Sequence, residues 1–394
     1  MNHFNSSGAF VFTVGILAFP VGCLEHSADL GNGPSYDPIY AESSPPDTLA
    51  NTKLPINAPW KLVEHESNIF AFAVDQGQAF WLHSLDTAHV RETRALHHCD
   101  VSGCKRTLQQ FDAWDMPNGS IHTSELIVIT ADLVIVRQPT GKLIACSRVS
   151  GADKTVLWDA DPSDNNQMVF VGVLGSEKES IIFRSKDSLN FCRTPDCNGT
   201  LVRLPGVANI GTWMVTPIVM DSEFAYAGGD GIYRLKLDGT TNWELIAPKV
   251  ERVASLALHG DSIYWTEPVT LGTVKTCPKT GCVGTPAVVV PNLNRPGDLI
   301  VDDKYVYVME PAFRLDTDYG DRILRCPIGG CDEPTVLAEN VGGMSGFSQD
   351  QSYIYFSGAE NYCFDSQGVN QCQLQPSGTV SLRENSFYIA AIPK

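Results

Sequence analysis

The chain has 394 residues and a formal net charge of −17, because 28 Lys and Arg residues stand against 45 Asp and Glu residues. This charge has the wrong sign for a protein that binds nucleic acid or an anionic membrane surface through basic patches. The 33 glycines, 24 prolines and 9% aromatic residues favour many short strands joined by turns and argue against a helical bundle or a disordered chain.

The N-terminal region contains an apolar run at residues 8–22. The run has the length of a signal peptide and is too short to span a bilayer comfortably. Cys23 follows Val21 and Gly22. A small residue and then a cysteine after an apolar run resembles the lipobox of bacterial lipoproteins, and the resemblance implies cleavage before Cys23 and lipidation of that cysteine. The alternative is a secreted protein whose removed leader includes Cys23.

The next segment, residues 24–59, is dominated by Pro, Ser, Asn, Asp and Gly and has no hydrophobic periodicity. This composition predicts a disordered tether. We therefore divide the chain into a signal peptide at 1–22, a lipidated cysteine with its tether at 23–59, and one folded domain at 60–394.

The folded domain carries a repeated Cys-x4-Cys pattern. The four complete copies begin and end at Cys99 and Cys104, Cys192 and Cys197, Cys277 and Cys282, and Cys326 and Cys331. A degenerate copy starts at Cys146, with Gly151 in place of the second cysteine. The gaps between first cysteines are 47, 46, 85 and 49 residues (146 − 99, 192 − 146, 277 − 192, 326 − 277). The gap of 85 is nearly two periods, so a cysteine-free copy is expected at Ile232–Thr240. A fixed period in this range predicts a repeat architecture.

Four short strands fit each period. In the clearest unit these are Ser255–Gly260, Ile263–Trp265, Gly272–Cys277 and Pro286–Pro291. Four antiparallel strands repeated radially predict an all-β fold, a β-propeller. The aromatic or branched triplet of the second strand recurs at Ala79–Trp81, Val134–Val136, Ile181–Phe183, Phe224–Tyr226, Ile263–Trp265, Val306–Val308 and Ile354–Phe356, with an extra copy at Phe387–Ile389.

The repeats predict seven blades. The alternatives are eight blades with one composite blade, or six. The extra triplet near the C-terminus favours two further strands there, and ring closure predicts that the C-terminal strands pair with Pro59–Glu66.

The segments Ile232–Thr240 and Ser255–Glu267 resemble the YWTD repeat of low-density-lipoprotein-receptor-type propellers, which are related in architecture to the TolB-like group. Glu267 stands in place of the final Asp. The YWTD family implies six blades. The Cys-x4-Cys turns resemble those of uncharacterised bacterial envelope propeller lipoproteins. These resemblances imply an architecture and an envelope location but no activity.

The 12 cysteines indicate an oxidising compartment. Structural zinc usually needs two-residue spacing and two cysteine pairs per metal, so the four-residue spacing argues against it. We predict a disulfide within each Cys-x4-Cys pair, joining opposed positions of a hairpin and contributing roughly 2 kcal/mol each. Cys363 and Cys372 are predicted to pair in the last unit, and Cys146 to be a buried thiol.

Several candidate sites have a structural interpretation. His97 and His98 are adjacent on a strand and should point to opposite faces, which disfavours joint metal chelation and predicts a partly exposed strand. Asp221, Asp302 and Asp350 each follow an inner strand, in apparent register with Asp132 and Asp261, and are predicted to stabilise turns.

One acidic loop suggests calcium. Asp316, Asp318 and Asp321 cluster around Gly320, as hard cations require, but Pro327 stands where an EF-hand needs Glu. A solvated loop is the alternative, and it applies also to Asp159, Asp161 and Asp164. We expect no other cofactor.

The chain contains no recognised nucleophile or nucleotide-binding motif, so no catalytic residue is assigned. The sequence favours a non-catalytic, monomeric binding scaffold, exported to the cell envelope or the extracellular space and touching a membrane only through its lipid anchor. The partner is an unidentified protein, peptide or glycan. The longest inserts, 311–320 and 360–371, are expected on one face of the ring, with Phe313, Tyr319 and Tyr362 as contact residues. The alternatives are a metal-dependent hydrolase or lyase acting in the central channel, and a purely architectural protein.

Overall fold

The computed structural model describes residues 39–40, 60–65, 69–84, 93–115, 127–130, 132–137, 142–147, 154–159, 170–171, 180–185, 188–205, 217–248, 250, 252–310, 322–339, 341, 346–360 and 386–394. In these ranges the chain forms seven antiparallel sheets and two single-turn helices. No helix within these ranges has the length and apolar character needed to cross a membrane.

The strands follow one another along the chain in groups of four. The first two are β1 (Ile39–Tyr40) and β2 (Trp60–His65). Blade 1 contains β3 (Ile69–Asp75), β4 (Gln78–Ser84), β5 (Thr93–Asp100) and β6 (Gln109–Asp115), with α1 (Cys104–Thr107) between the last two. Blade 2 contains β7 (Ile127–Ile129), β8 (Leu133–Arg137), β9 (Leu143–Ser147) and β10 (Thr155–Trp158). Blade 3 contains β11 (Phe170–Val171), β12 (Ser180–Ser185), β13 (Ser188–Arg193), α2 (Cys197–Thr200) and β14 (Val202–Leu204).

The remaining blades follow the same order. Blade 4 contains β15 (Ile218–Met220), β16 (Phe224–Gly228), β17 (Gly231–Lys236) and β18 (Glu244–Pro248). Blade 5 contains β19 (Leu256–His259), β20 (Ser262–Glu267), β21 (Thr270–Pro278) and β22 (Ala287–Asn294). Blade 6 contains β23 (Leu299–Val301), β24 (Tyr305–Glu310), β25 (Arg322–Pro327) and β26 (Thr335–Glu339). Blade 7 contains β27 (Phe347–Gln349), β28 (Tyr353–Glu360) and β29 (Ser386–Pro393), and takes β2 and β1 as its outer strands.

The architecture is therefore a seven-bladed β-propeller, as predicted. Apart from Phe387–Ile389, the aromatic or branched triplets lie on the second strands of their blades, where neighbouring blades bury both faces. The inner strands are also apolar and buried, and contacts join β15 to β19, β19 to β23, β23 to β27, β27 to β3 and β3 to β7 around the ring. The core consists of layers between successive blades.

Ring closure uses strands from both ends of the chain. β2 pairs with β29, which confirms the predicted pairing of Pro59–Glu66 with the C-terminal strands. The prediction that Phe387–Ile389 belongs to the first two strands of another unit was wrong, because these residues lie on the third strand of blade 7. Within the expected tether, Ile39–Tyr40 pair with β2 and add a fifth strand to this blade.

The strand order gives the ring two distinct ends. At one end the first strand of each blade turns into the second and the third turns into the fourth; we name this the clip end, because it carries the Cys-x4-Cys turns. At the other end the second strand leads to the third and each blade leads to the next; we name this the insertion end. Segments 311–321 and 361–385 join second strands to third strands, so both belong to the insertion end.

Candidate functional site

All four predicted Cys-x4-Cys disulfides are present at the clip end. The Cα atoms of each pair lie between 4.7 and 5.8 Å apart, which is the separation that a disulfide accepts. The prediction that the second cysteine lies on the fourth strand, opposite the first cysteine, was wrong. A tight turn reverses the chain directly after the first cysteine, with the amide of Gly281 donating to Pro278 O at 2.9 Å in blade 5. The fourth strand begins only after the disulfide.

The clip turns also bond to the preceding blade, which the sequence did not indicate. The amide of Cys282 donates to Ile246 O on the outermost strand of blade 4 at 2.8 Å. The amide of Cys331 donates in the same way to Val289 O on the outermost strand of blade 5 at 3.1 Å. Outer strands otherwise expose unpaired backbone groups, so each clip covers part of the neighbouring edge.

The clip turns of blades 1 and 3 contain a further shared device. Thr107 accepts a hydrogen bond from the amide of Asp100 at 2.8 Å, and Thr200 accepts one from the amide of Arg193 at 2.8 Å. Both threonines stand three residues after the second cysteine, in a Cys-x4-Cys-x2-Thr pattern. α1 and α2 both start at the second cysteine. The spacing alone does not identify this helical form of the turn, because Thr285 stands three residues after Cys282 in blade 5, where the turn contains no helix.

Blade 4 keeps the turn without a disulfide, as expected for the cysteine-free copy at Ile232–Thr240. Its turn is fastened by Trp243, whose indole N–H donates to Pro205 O of blade 3 at 2.8 Å. In blade 2, Cys146 is a buried thiol in the core cluster shared with blade 1, as predicted.

Asp221, Asp302 and Asp350 stabilise the turn between the first two strands, as predicted. Each carboxylate accepts the backbone amides two and three residues further on at 2.7–3.0 Å. Each also accepts the hydroxyl of a buried tyrosine of the second strand. The three pairs are Tyr226 with Asp221, Tyr307 with Asp302, and Tyr355 with Asp350.

Two of these aspartates also bridge blades. Lys279, in the clip turn of blade 5, donates to Asp221 of blade 4 at 3.2 Å, and Lys394 of blade 7 donates to Asp302 of blade 6 at 3.0 Å. Burial by itself raises the pKa of either carboxyl, but the hydrogen bonds and the lysine outweigh it and lower the pKa below its ordinary value. The anionic form is therefore the one that the fold stabilises.

The predicted register of Asp132 and Asp261 with these aspartates was wrong. Strand pairing places Thr130 and His259 at the equivalent position of blades 2 and 5. Thr130 accepts the amide of Leu133 at 2.8 Å, and His259 lies 3.5 Å from Asp303 of blade 6. The error arose because the turn of blade 5 has two residues, Gly260 and Asp261, between its paired ends.

The side chains of the YWTE segment of blade 5, Tyr264–Glu267, contact both neighbouring blades. Tyr264 packs toward blade 6 and Trp265 toward blade 4. Thr266 donates to Gly297 O, in the connection to blade 6, at 2.7 Å. Glu267 is 4% exposed and accepts the indole N–H of Trp265 at 3.2 Å and the Lys275 ammonium at 2.7 Å.

Blade 6 repeats this buried acid at the same position. Glu310 forms an ion pair with Arg322 across the start of segment 311–321, and it accepts the amide of Asn294, at the end of the outermost strand of blade 5, at 2.7 Å. Glu267 and Glu310 were missed in the sequence. The signal was available: each is the last residue of an aromatic second strand, and a basic residue, Lys275 or Arg322, follows on the third strand.

In blade 1, histidines occupy the positions that Glu267 and Lys275 occupy in blade 5. His83 Nε2 and His97 Nδ1 lie 2.8 Å apart, and strand pairing makes them equivalent to Glu267 and Lys275. Burial lowers the pKa of His97 to about 4, so its ring is neutral at pH 7.

The predicted separation of His97 and His98 onto opposite faces is confirmed. His97 contacts Trp81, whereas His98 stacks on Phe80 with ring centroids 4.3 Å apart. The prediction of a partly exposed strand was wrong, since the two side chains are 8% and 4% exposed. Both lie in layers between blades, and His97 bonds there to His83 and Gln110.

Asp298 is the described carboxyl group whose pKa is raised, and burial is the cause. It precedes the inner strand of blade 6 at the insertion end, and no hydrogen bond or ion pair joins its side chain to the residues that the structure describes. The side chain is half-buried. A carboxyl group in this environment favours its protonated form more than an ordinary aspartate does.

The inner strands offer little other polar chemistry along the described part of the channel wall. Ser255, Ser348 and Gln349 are buried, and each bonds to a backbone group of a neighbouring inner strand. Among the described residues no three His, Cys, Asp or Glu side chains are grouped so as to hold a metal ion. Asp159 is exposed and lies 3.0 Å from Lys142.

Other predicted site residues lie outside the described residues and stay predictions. These are Cys23, Phe313, Asp316, Asp318, Tyr319, Asp321, Tyr362, Cys363 and Cys372, together with Asp161 and Asp164. The strands that flank the two long inserts are described. Glu310 pairs directly with Arg322, and Glu360 pairs directly with Ser386. Both segments are therefore inserted at the tip of a complete hairpin.

No protein-family model and no curated protein matches this chain. Among solved structures, the chain is similar to the computationally designed Ika8 protein, with a TM-score of 0.51 and 12% identity over 77% of this chain and 85% of that one. It is also similar to BamB from Moraxella catarrhalis, with a TM-score of 0.42 and 13% identity over 91% of this chain and 96% of that one. At these identities the similarity to Ika8 concerns the fold alone.

Proposed function

We propose that this chain is an exported, lipid-anchored β-propeller of the bacterial envelope that binds a protein, peptide or glycan through its insertion end and catalyses no reaction. The observation that carries the proposal is the placement of the two longest inserts. Both extend from the tips of hairpins whose strands are already fully paired. Chain that the blades do not need for pairing is free to serve recognition, and loops on a rigid scaffold are the usual place for it.

Export is supported by the cysteines and by the N-terminus. Four disulfides suit an oxidising compartment. The apolar run before Cys23 supplies an export signal and an acylation site. Within this proposal the chain resembles the YWTD-type and TolB-like propellers in architecture and the bacterial envelope lipoproteins with Cys-x4-Cys turns in location, although its seven blades differ from the six of the YWTD family.

The contact residues that we propose are Phe313, Tyr319 and Tyr362. Aromatic side chains dominate the binding energy of many protein interfaces. Chemical cross-linking on the purified protein, incubated with an envelope extract and analysed by mass spectrometry, identifies the partner. Replacing all three aromatics by alanine is expected to abolish the cross-link.

A matched control sits at the clip end. Val283 and Val288 are 100% and 51% exposed, and replacing both by alanine should leave the cross-link intact. Binding that persists in the aromatic variant and disappears in the control variant would place the interface at the clip end.

The rival function is a metal-dependent hydrolase or lyase in the central channel. Asp298 is the observation that favours it, because a half-buried carboxyl group that forms no ion pair with the described residues is suited to acid–base chemistry or to a cation. Elemental analysis of the dialysed protein separates the two proposals. Stoichiometric calcium or zinc that is lost in Asp298→Asn would replace the binding scaffold with the channel site. Calcium that is instead lost when Asp316 and Asp318 are replaced by asparagine would locate it in the acidic insert.

A further inference from the structure

β1 joins the proposed anchor to the rim of the ring. Ile39 pairs with Glu64 and Tyr40 with Val63, so two residues of the region between Cys23 and the propeller form the outermost strand of blade 7. The helical turn α1 of blade 1 lies beside β1. The strand therefore rests between the edge of blade 7 and the clip turn of the next blade.

The direction of β1 follows from its pairing with β2. β2 is the fourth strand of blade 7, and fourth strands run from the clip end to the insertion end. β1 is antiparallel to β2, and Ile39 lies opposite Glu64, near the end of β2. β1 therefore runs from the insertion end toward the clip end, with Ile39 as its residue on the insertion side.

The pairing also shortens the path from Cys23 to the folded domain. With β1 in place, 16 residue steps separate Cys23 from Ile39 (39 − 23), a contour of about 55 Å at ~3.4 Å per residue. With β1 released, the first fixed residue is Trp60 and 37 steps remain (60 − 23), about 125 Å. The ratio of the two contours is about 2.3.

We infer that β1 is a latch that sets how far the propeller reaches from a membrane and that holds the insertion end of blade 7 toward the lipid surface. This inference rests on the proposed lipidation of Cys23. Two paired residues form a weak strand by themselves, so the latch can open without unfolding of the ring. A domain that binds its partner at the insertion end is thereby kept close to the membrane when the latch is closed.

Two deletions of equal length separate a closed latch from an open one. Deleting residues 26–35 shortens the path before β1, whereas deleting 46–55 shortens only the connection between β1 and β2. The residues that remain between Tyr40 and Trp60 still suffice to join neighbouring strands. With the latch closed, only the first deletion shortens the reach. With the latch open, both deletions shorten it equally.

The reach is measured on the full acylated protein in lipid vesicles, by energy transfer from a fluorophore at Val283 to head-group acceptors. We expect stronger transfer in the 26–35 deletion, unchanged transfer in the 46–55 deletion, and weaker transfer in an Ile39→Pro, Tyr40→Pro variant. Equal transfer in the two deletions would overturn the latch. Tyr36→Pro, which lies before β1, is the matched control for the proline variant and should leave the transfer unchanged.

Two further measurements test the pairing of β1 and the acylation of Cys23 independently. The intact mass of the purified protein reports acylation of Cys23, and its absence overturns the anchor. Hydrogen exchange on the same full-length protein reports the pairing of β1 whether or not the cysteine is acylated. Adjacent amides of a strand point to opposite sides, so of Val63 and Glu64 we expect the amide that faces β1 to exchange faster in the proline variant, and the amide that faces β29 to be unchanged. Identical exchange in the variant and the parent chain would overturn the latch while leaving the anchor in place.

Discussion

At the clip end, the connections from third to fourth strands have seven or eight residues in blades 1 to 6, and those of blades 5 and 6 bond to the preceding blade. At the insertion end, the connections range from the two residues Pro268 and Val269 to the long segment 361–385. The clip end holds the four described disulfides and the tyrosine–aspartate pairs. At the insertion end, Glu267 and Glu310 bind basic residues of the following strand, but the longest chain segments extend beyond them.

The difference shows how the same strands keep the blades in a fixed order at one end and tolerate inserts of different length at the other. Blade order and blade spacing are maintained by backbone and ion-pair contacts at the clip end, such as Cys282 with Ile246 and Lys279 with Asp221. The insertion end is thus free to vary in length, because its hairpins are complete without the added residues. Each of the following predictions tests this division between the two ends.

The largest effect is expected from Asp221→Ala. The change removes the acceptor of two backbone amides, of the Tyr226 hydroxyl and of Lys279. A buried hydroxyl without an acceptor is costly, so we expect a loss of about 3 kcal/mol in the free energy of unfolding. Urea titration followed by tryptophan fluorescence measures it.

The matched control for this change is Asp261→Ala. Asp261 is exposed, and its backbone oxygen, which alanine keeps, accepts the amide of Lys279. The expected loss is below about 0.5 kcal/mol. Equal losses in the two variants would remove the distinction between the bridging aspartates and ordinary turn residues.

As the pH decreases, we expect the fold to lose stability first through protonation of His97 and, at lower pH, through protonation of the carboxylates. The folded state lowers the pKa of His97 from 6.5 to about 4, so the unfolded chain binds the proton more readily between these values. The stability is complete above pH 6.5 and falls by roughly 3 kcal/mol as the pH decreases to 4. The lowered pKa values of Asp221 and Asp302 add a further loss at still lower pH.

Unfolding curves at half-unit pH intervals check this dependence. In His97→Gln the decline between pH 6.5 and 4 should be smaller by that amount, while the decline at lower pH remains. An unchanged profile in the variant would show that other groups cause the acid sensitivity.

A moderate effect is expected from breaking one clip. Replacing Cys277 and Cys282 by serine removes the disulfide but leaves the amide of residue 282 able to bond to Ile246 O. We expect a loss of roughly 2 kcal/mol, the value for a short closed loop. The amide of residue 282, which donates the bond to Ile246 O, should remain slow to exchange. Rapid exchange there would mean that the disulfide itself holds the two blades together.

Much of this architecture could be predicted from the sequence because side-chain patterns carry it. The period of the cysteines and the aromatic triplets gave the blades, and the apolar strand near Trp60 gave the closure. The contacts between blades could not be predicted, because Ile246 and Val289 accept through backbone oxygens that leave no pattern in the sequence. The register of Asp261 was predicted wrongly because the turn between β19 and β20 has only two residues. The third strand β29 was taken for a second strand because it carries the same kind of aromatic triplet.

The smallest effect on stability is expected where the inserts are removed. Glu310 and Arg322 are directly paired, so replacing 311–321 by Asn-Gly leaves a two-residue hairpin turn of a favoured type. The loss should stay below about 1 kcal/mol, since loop length has only a weak influence on stability. Inserting two glycines after Thr280 in the clip turn is the matched change at the other end. It displaces Cys282 from Ile246 O and should cost clearly more in the same urea titration. If the two changes lower the free energy of unfolding equally, segment 311–321 contributes to the stability of the ring. The two ends then do not differ in their tolerance of changes in length.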